Sequence, residues 1–131
     1  MSGAEPALRY RGLWLGMGWA LLALILFLAL RPLPGVALVE IWSDKVWHAL
    51  AFATLMLWFA GAYPSGQLWK VFALLLCYGL LIELLQSFTR TRHVEVADMV
   101  ANLAGATTGW LLARAGLRRW CAWLEEVLVR L

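Results

Sequence analysis

The side chains best suited to chemistry fall in three short polar strings, each set within apolar sequence: Asp44-Lys45-x-x-His48, Glu83-x-x-Gln86 and Asp98-x-x-x-Asn102. Between the last two lie Arg90, Arg92, His93 and Glu95. Residues three and four apart on a helix are neighbours, so Asp44, Lys45 and His48 can share one face. Gly79, Glu83 and Gln86 share another, and Asp98, Asn102, Gly105 and Gly109 a third. The chemistry open to such a set is proton transfer and the holding of an anion. Glu83, partly desolvated, suits a general acid or base near neutral pH. His48 could share that work, and Asp98 could orient His48 as an acid does in a catalytic relay. Lys45, Arg90 and Arg92 could hold a phosphate or carboxylate, the arginines in bidentate fashion. Asp44, Gln86 and Asn102 complete the candidate binding groups. Ser87 and Thr89 are hydroxyls nearby, but nothing in their position marks a nucleophile. His48, His93, Glu83 and Asp98 are of metal-ligand type, yet a local spacing such as HExxH is absent. No metal and no cofactor is expected.

Each string also has a plainer reading. Asp44 could cap a helix while Lys45 snorkels outward. Glu83 could make an interhelical hydrogen bond that only holds helices together. Residues 90–95 could be a solvated loop. Against this stands convergence: with four alternating crossings, the starts of the second and fourth and the end of the third lie on one side. Within the apolar stretches, His48, Glu83, Glu95 and Asp98 fall in that half, and Lys70 stands at the opposite end of the third.

Composition says what kind of element carries these strings. Of 131 residues, 63% are hydrophobic and 15% charged, where soluble domains run at about half and about a quarter. So little polar surface cannot coat a water-soluble globule, which points to a membrane. A bilayer core takes about 20 apolar residues as helix, and four stretches qualify: 13–30, 46–63, 68–88 and 94–112. The fourth is weakest in hydropathy; the apolar run 99–112 and a Gly105-x-x-x-Gly109 face that admits a close neighbour argue for it. The first follows Arg9 and Arg11 but is long for a signal peptide and lacks a small-x-small cleavage site, so it reads as a retained helix. The expected fold is an all-α membrane protein, a four-transmembrane-helix bundle over residues 1–113. Residues 114–131 then form an amphipathic helix, with Leu117, Trp120, Cys121, Leu124, Val127, Leu128 and Leu131 on its apolar face. That helix suits the membrane surface or a partner helix.

The net charge is +3, without a basic groove interleaved with exposed aromatics, so nucleic acid is not an expected partner. Basic residues beside apolar spans set topology instead. Of the 11 Lys and Arg, Arg9, Arg11, Lys70, Arg114, Arg118, Arg119 and Arg130 fall on one side and Arg31, Lys45, Arg90 and Arg92 on the other. The richer side is cytoplasmic by the positive-inside rule, which puts both termini and the C-terminal helix there and the polar cluster at the outer leaflet. Cys77 and Cys121 fit neither a disulfide framework nor a CxxC metal site and read as small apolar residues.

Taken in order, Asp44-Lys45-x-x-His48, Glu83-x-x-Gln86 and Arg92 followed by Asp98-x-x-x-Asn102-x-x-Gly105 resemble the VanZ-like family of small bacterial membrane proteins. The likeness covers residues 44 to about 110, and Arg90 lies next to the motif. The resemblance implies a multi-pass protein of the bacterial cytoplasmic membrane. It also implies a link to resistance to the glycopeptide teicoplanin, or to the cell envelope more broadly.

Two functions fit. One is an enzyme acting on a lipid or lipid-linked headgroup, with His48, Glu83 and Asp98 as acid, base and orienting groups. The other is a non-catalytic binder of membrane lipid, a lipid-linked envelope precursor, a glycopeptide or a partner protein. For the last, the C-terminal helix offers a surface.

Overall fold

A computed structural model describes residues 5–31, 38–89 and 95–131, and for residues 38–43 the backbone alone. Arg90, Arg92 and His93 lie outside the described residues. The described chain is helical, with five α-helices: α1 (Arg11–Leu30), α2 (Leu38–Ala62), α3 (Leu68–Ser87), α4 (Val96–Arg114) and α5 (Trp120–Arg130). Single 3-10 turns, Ser65–Gln67 and Leu117–Arg119, lead into α3 and α5.

The ends of these helices follow from local chemistry. Arg31 is extended (φ −67°, ψ 139°), the conformation forced on a residue before proline, here Pro32. α2 ends at Ala62, two residues before Pro64. Gly116 sits at φ +121° between α4 and the turn into α5, a backbone conformation that a side chain would strain. α2 begins at Leu38, eight residues before the expected start at 46. Residues 38–42 contain no glycine or proline, so nothing stops the helix propagating back. This corrects the capping reading of Asp44, which lies inside α2 rather than at its end.

Among the described residues, three helices are long and apolar enough to cross a membrane: Arg11–Leu30, Asp44–Ala62 and Ser65–Ser87. α4 is nearly as long, but Asp98, Asn102, its glycines and its threonines lower its hydropathy below that mark. Three of the four expected crossings therefore meet the criterion by themselves. The surface is apolar in the way a bilayer requires. Leu13, Trp19, Phe27, Leu74, Leu80 and Leu84 are exposed, while Glu83, Gln86, Asp98 and Asn102 are buried. A soluble protein has the opposite arrangement.

α2 is the centre of the bundle. Its Phe52, Leu55, Met56, Phe59 and Ala60 meet Leu68, Val71, Leu75 and Ile82 of α3 and Ala106 and Ala113 of α4. α4 packs most closely on α2, along the Gly105 and Gly109 face. A Cβ at Gly105 would run into the Ala49 carbonyl oxygen, and one at Gly109 would stand 2.7 Å from that of Ala53.

α5 seats on its own bundle, where α1 begins and α2 ends. Cys121 is fully buried there, and the Trp120 indole N–H donates to the Leu57 carbonyl at 2.9 Å. Trp14 and Trp120 stack edge to face. Burial, and after it the Glu125 charge, push the Cys121 thiol up to about 12, so it behaves as the apolar residue expected. The apolar face is only partly used, since Leu117, Leu128 and Leu131 remain exposed. Glu125, which is not among the apolar positions of that helix, is buried as well.

Glu125 ties the two ends of the chain together. Its Oε2 accepts the Arg9 N–H at 2.7 Å, and its Oε1 accepts the Tyr10 N–H at 2.9 Å and the Trp14 indole N–H at 2.7 Å. The first N–H groups of a helix have no partner within it, and a carboxylate there also meets the positive end of the helix dipole. Burial raises the Glu125 carboxyl, but these hydrogen bonds outweigh it and hold the group below its ordinary 4.5. A depressed value means that the stabilisation is complete above the ordinary value and is lost as pH falls through the folded one. Glu125→Gln is expected to cost about 2 kcal/mol at pH 7. In thermal melts of detergent-solubilised protein, its deficit should vanish as the pH falls below the carboxylate range. A deficit that persists unchanged in acid would refute the charged role.

Candidate polar site

The early turns of α2, the end of α3 and the start of α4 meet at one end of the bundle and bring the three polar strings together. Lys45 reaches across to α4: its Nζ lies 2.8 Å from Glu95 Oε2 and 2.9 Å from Asp98 Oδ1. One turn deeper, His48 Nδ1 lies 2.9 Å from Asn102 Oδ1. An amide oxygen only accepts, so with Asn102 in this orientation the bond takes its proton from His48 Nδ1. Nε2 faces Asp44 Oδ2 at 3.8 Å, too far for a hydrogen bond. Asn102 holds the ring, and Asp98 is engaged by Lys45.

Glu83 lies beside this pair, 2% exposed and close enough to Asp98 and His48 to interact with both electrostatically. Its Oε2 takes a long 3.4 Å contact from the Glu95 N–H. Its Oε1 is buried without a hydrogen-bond partner, and so is Asn102 Nδ2. Buried polar atoms are nearly always satisfied, so each exception needs a reason. Here one orphan is an acceptor and the other a donor, a combination that a hydroxyl group or a water would complete. Gly79 makes room at this point, since a Cβ there would stand 2.9 Å from Asn102 Nδ2. Gln86 does not join the cluster through its amide nitrogen. That group donates to the Ala29 carbonyl at 2.7 Å and pins the end of α1 to α3.

The Lys45 ammonium group is engaged by two carboxylates, those of Glu95 and Asp98. The expected roles of Arg90 and Arg92 fall outside the described residues. Ser87 and Thr89 donate their hydroxyls to the local carbonyls of Leu84 and Gln86, which suits helix ending rather than nucleophilic attack. Of the metal-type ligands considered, His48 and Asp98 do converge, but with Asp44: one donor atom from each lies within 4.8 Å of the others. Glu95, read from the sequence as loop, belongs to the cluster. It bridges to Lys45 and offers its N–H to Glu83. Its place immediately before α4, three residues ahead of Asp98, is the signal that could have found it.

Two grooves reach the cluster. Between α1 and α2 runs a cavity of about 480 Å³, walled by Leu21, Leu24, Ile25, Leu28 and Phe52 and ending at Asp44 and His48. On the other side, a groove between α3 and α4 is lined by Leu76, Leu80, Met99 and Leu103 and includes Asn102.

These features define a helical membrane protein with an acid-rich polar site at one end of its bundle. The chain belongs to the VanZ/LLP1 family, whose model matches residues 10–119. The match runs from the residue before α1 through the turn that precedes α5, so it takes in every residue of the site. No curated protein and no solved structure matches the chain.

Proposed function

We propose that the chain binds the headgroup of a lipid or lipid-linked envelope precursor and modifies it by acid–base catalysis. The observation that carries this reading is the groove between α1 and α2. Its walls are apolar and its end is Asp44 and His48, the shape of an amphiphile whose tail lies along the helices. In this reading α4 is a fourth crossing, held in the bilayer by its packing on α2 rather than by its own hydropathy. Both termini and α5 are cytoplasmic, and the site opens at the outer leaflet of the bacterial cytoplasmic membrane. Glu83 and His48 exchange protons with the bound headgroup. Lys45 fixes Asp98 and Glu95, and Asn102 fixes the His48 ring. Arg90 and Arg92 supply the positive charge for a phosphate or carboxylate. Removal or alteration of such a headgroup would change how a glycopeptide such as teicoplanin meets the cell.

The test is lipid and cell-wall-precursor profiling of cells with and without the gene, alongside Glu83→Gln, which keeps shape but removes proton transfer. The expected result is a headgroup species that changes with the wild-type gene and not with Glu83→Gln, a loss of about 10²–10⁴-fold in turnover. An unchanged profile would sink catalysis. Equal teicoplanin protection by wild type and Glu83→Gln would favour the non-catalytic binder, a reading supported by the tight Lys45–Glu95–Asp98 ion pairing.

A further inference from the structure

From the end of the bundle away from the polar site, another cavity of about 330 Å³ runs between α1 and α3. Trp19, Leu22, Leu74 and Tyr78 wall it, and Tyr63 and Lys70 stand at that end. We propose that this groove binds one anionic phospholipid, with an acyl chain between the helices and the phosphate held by Arg11 and Lys70.

The first support is charge. Among the described residues, neither Arg11 nor Lys70 is paired with a carboxylate. Two acids at this end are engaged elsewhere. Glu5 accepts from the Ser65 N–H and the Arg118 guanidinium, each at 2.8 Å, and Glu125 accepts the N–H groups of Arg9, Tyr10 and the Trp14 indole. Arg11 and Lys70 lie against aromatic rings instead. The Arg11 guanidinium carbon is 5.1 Å from the centre of the Tyr63 ring, and Lys70 Nζ is 5.6 Å from that of Trp69. A ring steadies a cation without neutralising it, and Tyr and Trp are the residues that sit at headgroup level.

The second support is the aim of Arg11. Its Nε donates to the Ala62 carbonyl at 2.9 Å, at the end of α2. That bond fixes the guanidinium beside Tyr63, which lines the groove. Among the described residues, no hydrogen bond uses its two terminal nitrogens, and a guanidinium meets phosphate through such donors in bidentate fashion.

The third support is shape. Away from the cationic end the walls are apolar, and the Tyr78 hydroxyl is spent on the Leu22 carbonyl. A free phosphate would leave this trough empty, and an uncharged lipid would leave the cations unmet. A phosphate and an acyl chain on one molecule satisfy both. The groove between α1 and α2 ends instead at Asp44 and His48, so the two grooves suit different headgroups. With both termini cytoplasmic, the cationic end lies in the inner leaflet, where anionic lipids attract basic residues beside the spans. The site is separate from the polar one and stands whatever chemistry is done there.

The experiment uses full-length protein in dodecyl maltoside micelles, stripped of native lipid and titrated with phosphatidylglycerol or phosphatidylcholine. Native mass spectrometry counts the lipids retained by each chain, and melting curves accompany it. One phosphatidylglycerol per chain is expected, with a rise in melting temperature that phosphatidylcholine does not give. Arg11→Gln with Lys70→Gln should weaken retention by about tenfold or more. Leu74→Trp keeps both cations but fills the trough from an exposed position, and should lose the lipid too. Arg114→Gln removes an exposed charge at the same end, outside the groove, and should keep it. Equal retention of the two lipids, or retention unchanged in the double variant or in Leu74→Trp, overturns the proposal. So does an equal loss in Arg114→Gln, which would mark a general attraction to a basic face. Glycerol phosphate, which has no tail, is the last arm: a melting rise equal to that with phosphatidylglycerol would assign the cations to a free phosphate and defeat the lipid site.

Discussion

Lys45→Met is expected to destabilise the bundle by about 3 kcal/mol, the scale of breaking a buried ion pair from one side. Asp98 is 5% exposed, and Lys45 Nζ at 2.9 Å is the cation that offsets its charge. Methionine keeps most of the stem's volume and apolar contact, so the loss isolates the ammonium group. What remains is a carboxylate held away from water, and such a group is costly unless paired. The second arm of the experiment makes this specific. Lys45→Met combined with Asp98→Asn removes both charges and should recover most of the loss, because an uncharged pair leaves no buried ion. The measurement is unfolding of detergent-solubilised protein by heat or denaturant, with the two single variants completing the cycle. A double variant no more stable than Lys45→Met would show that Asp98 is not the group Lys45 protects.

Gly105→Ala is expected to damage both the fold and the site by adding one methyl group. The new Cβ would meet the Ala49 carbonyl oxygen, with the Ala49 carbonyl carbon and Cα each 2.8 Å away. These are backbone atoms in the middle of a helix, so no rotamer change relieves the contact, and α2 and α4 must separate. Overpacking of this kind costs about 1–3 kcal/mol. Ala49 follows His48, and Asn102 lies one turn before Gly105, so separation stretches the 2.9 Å His48–Asn102 bond. Stability and any activity should fall together. Gly16→Ala is the control. Nothing lies within 4 Å of a Cβ there, and alanine in a helix interior is favoured over glycine by about 1 kcal/mol. If Gly105→Ala melts like Gly16→Ala, the close α2–α4 contact is not what holds this bundle.

Much of the architecture could be read from local sequence. Hydropathy located α1, α2 and α3 as apolar helices, and the proline after Arg31 and Pro64 marked their ends. Helical spacing put Asp98, Asn102, Gly105 and Gly109 on one face, and that face is the one packed against α2. The gathering of Asp44, Lys45, His48, Glu83, Asp98 and Asn102 at one end also followed, because alternating helices bring the starts of two and the end of a third to the same side. Each of these depends on one helix at a time, or on counting crossings.

Pairing was not legible. Lys45 pairs with Glu95 and Asp98, and His48 is bonded to Asn102. Glu125, not among the apolar positions of its helix, is buried as a cap on α1, and α5 rests on the bundle that precedes it. The physical reason is the same in every case. Periodicity fixes the angle of a side chain around its own axis, but a hydrogen bond depends on the rotation and axial offset of a second helix more than 50 residues away. A shift of one residue along a helix turns a side chain by about 100°, enough to exchange Asn102 for a neighbour. That register is set by how far Gly105 and Gly109 let α4 sink against Ala49 and Ala53. It exists only once both helices are packed.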